Sequence, residues 1–203
     1  MTNQLTPRDR LRQASTEEIV EAAWVSCREQ GLASLSLRDL AARVGMQAPS
    51  LYSYFANKNA IYDAMFRQAN ADLAEHMREV VAIRPLTRTI LKDSTRRWFD
   101  FCVTDPVRSQ LLFQRTIPGF EPSAESYELA IELLEELGAA LHAFGIDDPA
   151  ALDLWTATLT GLTSQQISND PGGDRWSRLL DDTIDMMLDH FGAPAERETG
   201  EPT

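Results

Sequence analysis

Segment after segment, the small and apolar residues of this chain recur at intervals of three and four, the repeat of a helix with one buried face. Ile19, Ala22, Ala23, Ser26 and Cys27 form one such set. Leu37, Leu40, Ala41 and Val44 form a second, and Ile61, Met65, Leu73 and Met77 a third. Val and Ile, which favour strands, are sparse. The expected fold class is all-α.

Capping residues, glycines and prolines divide the pattern into helices. Ser15-Thr16-Glu17-Glu18 has the capping-box form, and Gly31 ends that helix. Ser36, with Asp39 three residues on, opens a second helix of about two turns, which Gly45 stops. A third short helix is expected from about Ala48 to Tyr54, with Pro49 admissible only in its first turn. A long helix follows from Asn57 towards Val80 and is closed by Pro85. Five more are expected, over 86–104, around Val107 to Leu112, and over 124–144, 149–169 and 175–191. They are separated by Asp105-Pro106, the Pro/Gly-containing loop 116–123, Gly145 and Pro171-Gly172-Gly173. Residues 193–203 read as a polar, disordered tail.

Composition narrows the function. With 203 residues, 43% of them hydrophobic, the chain can bury a sizeable core. No run approaches the ~18 apolar residues of a membrane span. Met1 to Arg8 lacks the apolar segment of a signal peptide, so a cytoplasmic protein without a membrane partner is expected. Cys27 and Cys102 stand far apart with no metal-ligand spacing, and buried thiols are the expected state. Net charge is −12, but it is unevenly spread. Residues 1–58 hold seven Lys/Arg and six Asp/Glu, while 59–203 hold 12 and 25. Such asymmetry hints at a polyanion-facing end.

Enzyme chemistry fails on inventory. There is no Gly-rich phosphate loop, no His-Glu-x-x-His and no Glu-x-x-His, and His76, His142 and His190 stand singly. No catalytic residue, cofactor or metal is expected. Asp181, Asp182, Asp185 and Asp189 are expected to form a solvated helix face.

Three helices in the first 55 residues, the second and third short and joined at Gly45, form a helix-turn-helix pattern. Leu37, Leu40, Ala41, Val44 and Leu51 would pack it, leaving the start of the third helix to face a major groove. The stretch Leu37 to Lys58 resembles the signature of TetR-type transcriptional regulators. The specific part is Val44-Gly45, then Leu51-Tyr52, Tyr54-Phe55 and Asn57-Lys58. This chain departs from the family pattern at Gln47 (usually Ser or Thr), Pro49 (usually Gly) and Tyr54 (often His).

The resemblance implies an all-α chain with two domains and a tail. These are a helix-turn-helix DNA-binding domain over 1–57, a ligand-binding and dimerisation domain over 58–192, and the tail 193–203. Tyr52, Tyr54 and Lys58 match positions that hold phosphates, which fix the protein on the duplex without reading sequence. Gln47, Ala48 and Ser50 are candidate base readers on the turn that also carries Pro49. Gln can pair bidentately with adenine, and Ala can touch a thymine methyl. Gln is a weak N-cap, so the helix cap is either lost here or traded for base contact. Ser36 can cap the second helix and meet a phosphate there. Arg8, Arg10 and Arg12 precede the expected first helix and suit an arm on the backbone or in a minor groove.

The family encloses a small-molecule pocket in its helical C-terminal part. The aromatic surplus there nominates Trp98, Phe99, Cys102, Phe113 and Phe120 as its apolar lining, beside loop 116–123. The family also pairs its last two helices into a dimer. Leu152, Trp155, Leu159, Leu162 and Gln166 are the matching face here, where small Thr158, Gly161 and Ser164 allow close approach, with Trp176, Leu179, Leu180, Ile184, Met187, Leu188 and Phe191. The expected partners are a double-stranded DNA operator, a small apolar effector and a second copy of the chain. The reading is a repressor released from a palindromic operator by that effector. The alternative is a helical ligand-binding or adaptor protein without DNA binding.

Overall fold

In the computed structural model, residues 6–81 and 85–193 are described, and every regular element among them is helical. Nine α-helices follow in order: α1 Pro7–Gln30, α2 Leu37–Arg43, α3 Ala48–Leu51, α4 Lys58–Val81, α5 Arg88–Thr104, α6 Pro106–Phe113, α7 Ala124–Ala143, α8 Pro149–Asn169 and α9 Leu180–His190. Short 3₁₀ turns at Leu32–Ser34 and Ser177–Leu179 follow α1 and precede α9.

Helix α1 starts about two turns before the Ser15 box. The capping box that operates is at Thr6. Its Oγ1 accepts the Asp9 N–H at 3.2 Å, and the Asp9 carboxylate accepts the Thr6 N–H at 3.2 Å. Pro7 fits the first helical position, and nothing between Arg8 and Ala14 breaks a helix. Arg8, Arg10 and Arg12 are therefore helical residues, not a flexible arm.

By contact the chain divides into two compact units, residues 1–70 with 107–128 and residues 71–106 with 129–203. A division at residue 57 assigns 58–70 and 107–128 differently. Residues 194–203 of the expected tail lie outside the described residues, while Ala193 is buried.

In the first unit α2 packs on α1 and on α3. Ile19, Ala23, Trp24, Leu40, Leu51, Ile61, Tyr62 and Met65 are fully buried. The turn between α2 and α3 needs its glycine. Gly45 adopts φ +67°, and the following Met46 N–H donates to the Ala41 carbonyl at 2.8 Å. The start of α4 is fixed to the segment before α7. Asp63 accepts from the Ser123 N–H (2.7 Å), the Ser123 hydroxyl (2.9 Å) and the Ser126 hydroxyl (2.8 Å).

In the second unit α5 packs against α8 and α9. Phe99, Leu91, Leu141, Phe144, Trp155, Leu159, Ile184 and Leu188 belong to one apolar cluster. Ion pairs run along α5 and α9: Arg88 to Asp189 at 2.8 Å and to Asp185 at 3.5 Å, Lys92 to Asp185 at 2.6 Å and Arg96 to Asp181 at 2.6 Å. Three of the four aspartates expected on a solvated face are thus engaged. Partly exposed pairs add little stability each, so the ladder serves mainly to fix the register of two antiparallel helices. Trp155, Leu159 and Gln166, expected at a dimer face, are buried in this unit. Gln166 holds the turn after α8: its carboxamide oxygen accepts the Trp176 N–H at 3.0 Å, and its nitrogen donates to the Gly173 carbonyl at 3.1 Å. The exposed positions of α8 are Pro149, Ala150, Asp153, Leu154, Ala157, Gly161, Gln165, Ser168 and Asn169.

Candidate nucleic-acid interface

One turn of helix presents most of the candidate reading residues. Gln47, Pro49 and Ser50 are exposed around α3, Ala48 is partly exposed, and Tyr52 is 56% exposed just beyond it. Leu51 and Phe55 point the other way and are buried. This follows from a helical repeat in which one side of a short helix must anchor it. Gln47 occupies the N-cap position of α3 but makes no side-chain capping bond. Ser36 does cap α2, its Oγ accepting the Asp39 N–H at 3.4 Å.

Tyr54 is half-buried, with the Arg12 guanidinium 5.4 Å from its ring centre. Arg12 also donates to the Ser53 carbonyl at 2.7 Å. Lys58 donates to the Ala33 carbonyl at 3.0 Å, and its ammonium lies 5.4 Å from the centre of the Tyr62 ring. An ammonium has three donors, so this bond leaves capacity for a phosphate oxygen. The sequence reading missed the tie from Arg12 to Ser53 and Tyr54. At Asn57, where the sequence starts the long helix, it also missed the cap: the side-chain oxygen accepts the Ala60 N–H at 3.0 Å.

Behind this surface Cys27 and Tyr62 are fully buried. The Tyr62 hydroxyl donates to the Leu32 carbonyl, and burial raises its pKa. Burial also pushes the Cys27 thiol up to about 11, against the opposing pull of the Lys58 and Arg28 charges. A raised folded-state pKa means the unfolded chain ionises first. The thiol's contribution is then intact below about pH 9 and is lost as pH rises towards about 11. Cys27 should therefore resist a thiolate-selective reagent in the native protein at pH 8 and react on unfolding. Native-state modification as fast as that of the denatured chain would contradict the burial.

The five residues nominated as a pocket lining fall in different surroundings. Trp98, Phe99 and Cys102 belong to the second unit, where Phe99 and Cys102 are buried and Trp98 packs against the apolar cluster. Phe113 and Phe120 belong to the first unit. Phe113 is 39% exposed, and Phe120 lies against Tyr62 with ring centres 5.5 Å apart. An open groove of about 390 Å³ in the second unit is lined instead by His76, Val80, Asp93, Arg96, Arg97 and Asp100. Among the described residues, no cluster of His, Cys, Asp and Glu could hold a metal, and no helix is long and apolar enough to cross a membrane.

Residues 19–65, which contain this whole interface except Arg12, match the family model described as bacterial regulatory proteins, tetR family. The chain is also 30% identical over 195 residues to the class A tetracycline repressor protein from transposon 1721 of Escherichia coli, covering 90% of this chain and 84% of that protein. The chain belongs to the TetR family. It is a DNA-binding transcription regulator of that family, whose members act as dimers. Solved structures share its fold. The regulator FadR from Bacillus subtilis, in complex with stearoyl-CoA, matches with a TM-score of 0.70 and 18% identity, covering 85% of this chain and 97% of that one. BioQ, with its double-stranded DNA operator, matches with a TM-score of 0.61 and 21% identity over 88% and 98% of the two chains.

Proposed function

We propose that this TetR-family regulator is a cytoplasmic repressor that reads a pseudo-palindromic operator with Gln47, Ala48 and Ser50, holds phosphates with Ser36, Tyr52, Tyr54 and Lys58, and has no catalytic role. The observation that carries this is the exposure of Gln47, Pro49, Ser50 and Tyr52 on one turn anchored by buried Leu51 and Phe55. An amide that spends nothing on capping is available to pair with adenine. The exposed strip of α8 through Leu154, Ala157, Gly161 and Gln165, with Met186 of α9 at 62% exposure, is the proposed dimer face. Two-fold symmetry then dictates half-sites about one helical turn, or a multiple of it, apart.

A small apolar effector is proposed to release the operator by binding the DNA-incompetent state more tightly. It shifts the equilibrium only by that difference in affinity. The stearoyl-CoA held by the FadR relative supports an effector with an apolar acyl part. Trp98, Phe99 and Cys102 in one unit, and Phe113 and Phe120 in the other, are proposed effector residues within their own units.

Selection of duplexes from a random pool tests the DNA reading. Gln47→Ala should change the preferred base at one position per half-site. Lys58→Ala should weaken all sequences alike and lower the salt dependence by about one contact per reading head. An unchanged consensus for Gln47→Ala would remove the base-reading role.

A further inference from the structure

The first two turns of α1 carry three arginines and one carboxylate, and the mechanism above uses none of them. Residues 6–14 are all exposed, so this part of the helix is not held by burial. Asp9 is committed to the Thr6 cap. Directly after these turns Glu17, Glu18 and Glu21 reverse the charge.

The arginines do not point the same way. With 3.6 residues per turn, Arg8 and Arg12 differ by about 40° and share a face, while Arg10 is turned about 160° from either. The face of Arg8 and Arg12 is located by Arg12, which donates to the Ser53 carbonyl at 2.7 Å and lies over the Tyr54 ring. This face of α1 is therefore continuous with the end of the reading turn. Arg8 stands one turn, about 6 Å, farther out along it.

We propose that Arg8 contacts the DNA backbone on a phosphate flanking the half-site, with Arg12 as the positioning residue that holds α1 against Ser53 and Tyr54. The inference rests on the DNA-contacting role of Tyr54 proposed above. A guanidinium suits the partner because it carries a permanent charge and a planar fork of donors that matches phosphate oxygens. The contact adds affinity and footprint without reading sequence.

The test uses the full chain and a duplex selected by the wild-type protein, once with several flanking base pairs and once trimmed to the half-sites. Binding is followed by fluorescence anisotropy across a salt series. On the flanked duplex, Arg8→Ala should weaken binding and lower the salt slope by about 0.9 per reading head. Arg10→Ala, with the same charge change on the opposite face, should leave the slope unchanged. On the trimmed duplex the difference between wild type and Arg8→Ala should vanish. Equal behaviour of Arg8→Ala and Arg10→Ala on the flanked duplex, or a difference that survives trimming, would overturn the inference while leaving the DNA reading intact. A wild-type protein that enriches no duplex would overturn both.

Discussion

Replacing Phe99 with alanine should cost about 3–5 kcal/mol of stability, the range for removing a packed aromatic. Phe99 is 1% exposed and belongs to the apolar cluster that α5, α7, α8 and α9 build in the second unit. The loss has two parts. The ring's apolar surface no longer leaves water on folding, and its neighbours lose dispersion contacts across the space left behind. A residue lining an open cavity lacks neighbours on one side and should cost less. Phe113, at 39% exposure, should lose about 1 kcal/mol or less when changed to alanine. Urea denaturation gives both values, provided the m-value is unchanged. A loss below about 1 kcal/mol for Phe99→Ala would mean that space already adjoins the ring. That result would place the ring beside a cavity and not inside a filled core.

Phe99 also shows how far the sequence could be read. The helical repeat identifies which residues are buried but not what buries them. Trp155, Leu159 and Gln166 repeat at helical spacing along α8, and the family's pairing of that helix points them at a partner subunit. The structure buries them within their own chain and exposes the small residues Ala157 and Gly161. An aromatic surplus has the same ambiguity, since a filled core and a ligand cavity are built from the same residue types. Glycine and proline are different because their constraint is local. Gly45, Pro106 and Pro149 mark helix ends correctly without reference to the rest of the molecule.

The start of α1 was ambiguous for another reason. Thr6 with Asp9 and Ser15 with Glu18 have similar capping spacings. Choosing between them depends on whether residues 7–14 are helical, and these are uniformly exposed, so no apolar pattern marks them. The ladder between α5 and α9 was legible in principle. Arg88, Lys92 and Arg96 repeat at four, as do Asp181, Asp185 and Asp189, and an antiparallel pairing matches the two sets in reverse order. Only the knowledge that these two helices are neighbours was missing.

Leu51→Ala should do more damage to DNA binding than any single change among the exposed reading residues. Helix α3 has four residues, Ala48–Leu51. A helix so short cannot persist by its own hydrogen bonds, because the first turn costs more to order than it returns. Its shape is imposed by the packing of α2 and by Leu51, which is 1% exposed. Removing that side chain should cost about 2–5 kcal/mol and leave the turn free to tilt. Gln47, Ser50 and Tyr52 would then lose their common orientation, so every sequence should be bound more weakly. We expect at least about a tenfold loss, equivalent to 1.4 kcal/mol of binding free energy. The comparison must be made at a temperature where the variant is folded, as shown by its own urea transition, so that weak binding is not simple unfolding. Gln47→Ala offers the contrast, with altered base preference and unchanged stability. If Leu51→Ala lost its stability but bound the selected duplex as tightly as wild type, the reading surface would owe its geometry to the DNA and not to the packing beneath it.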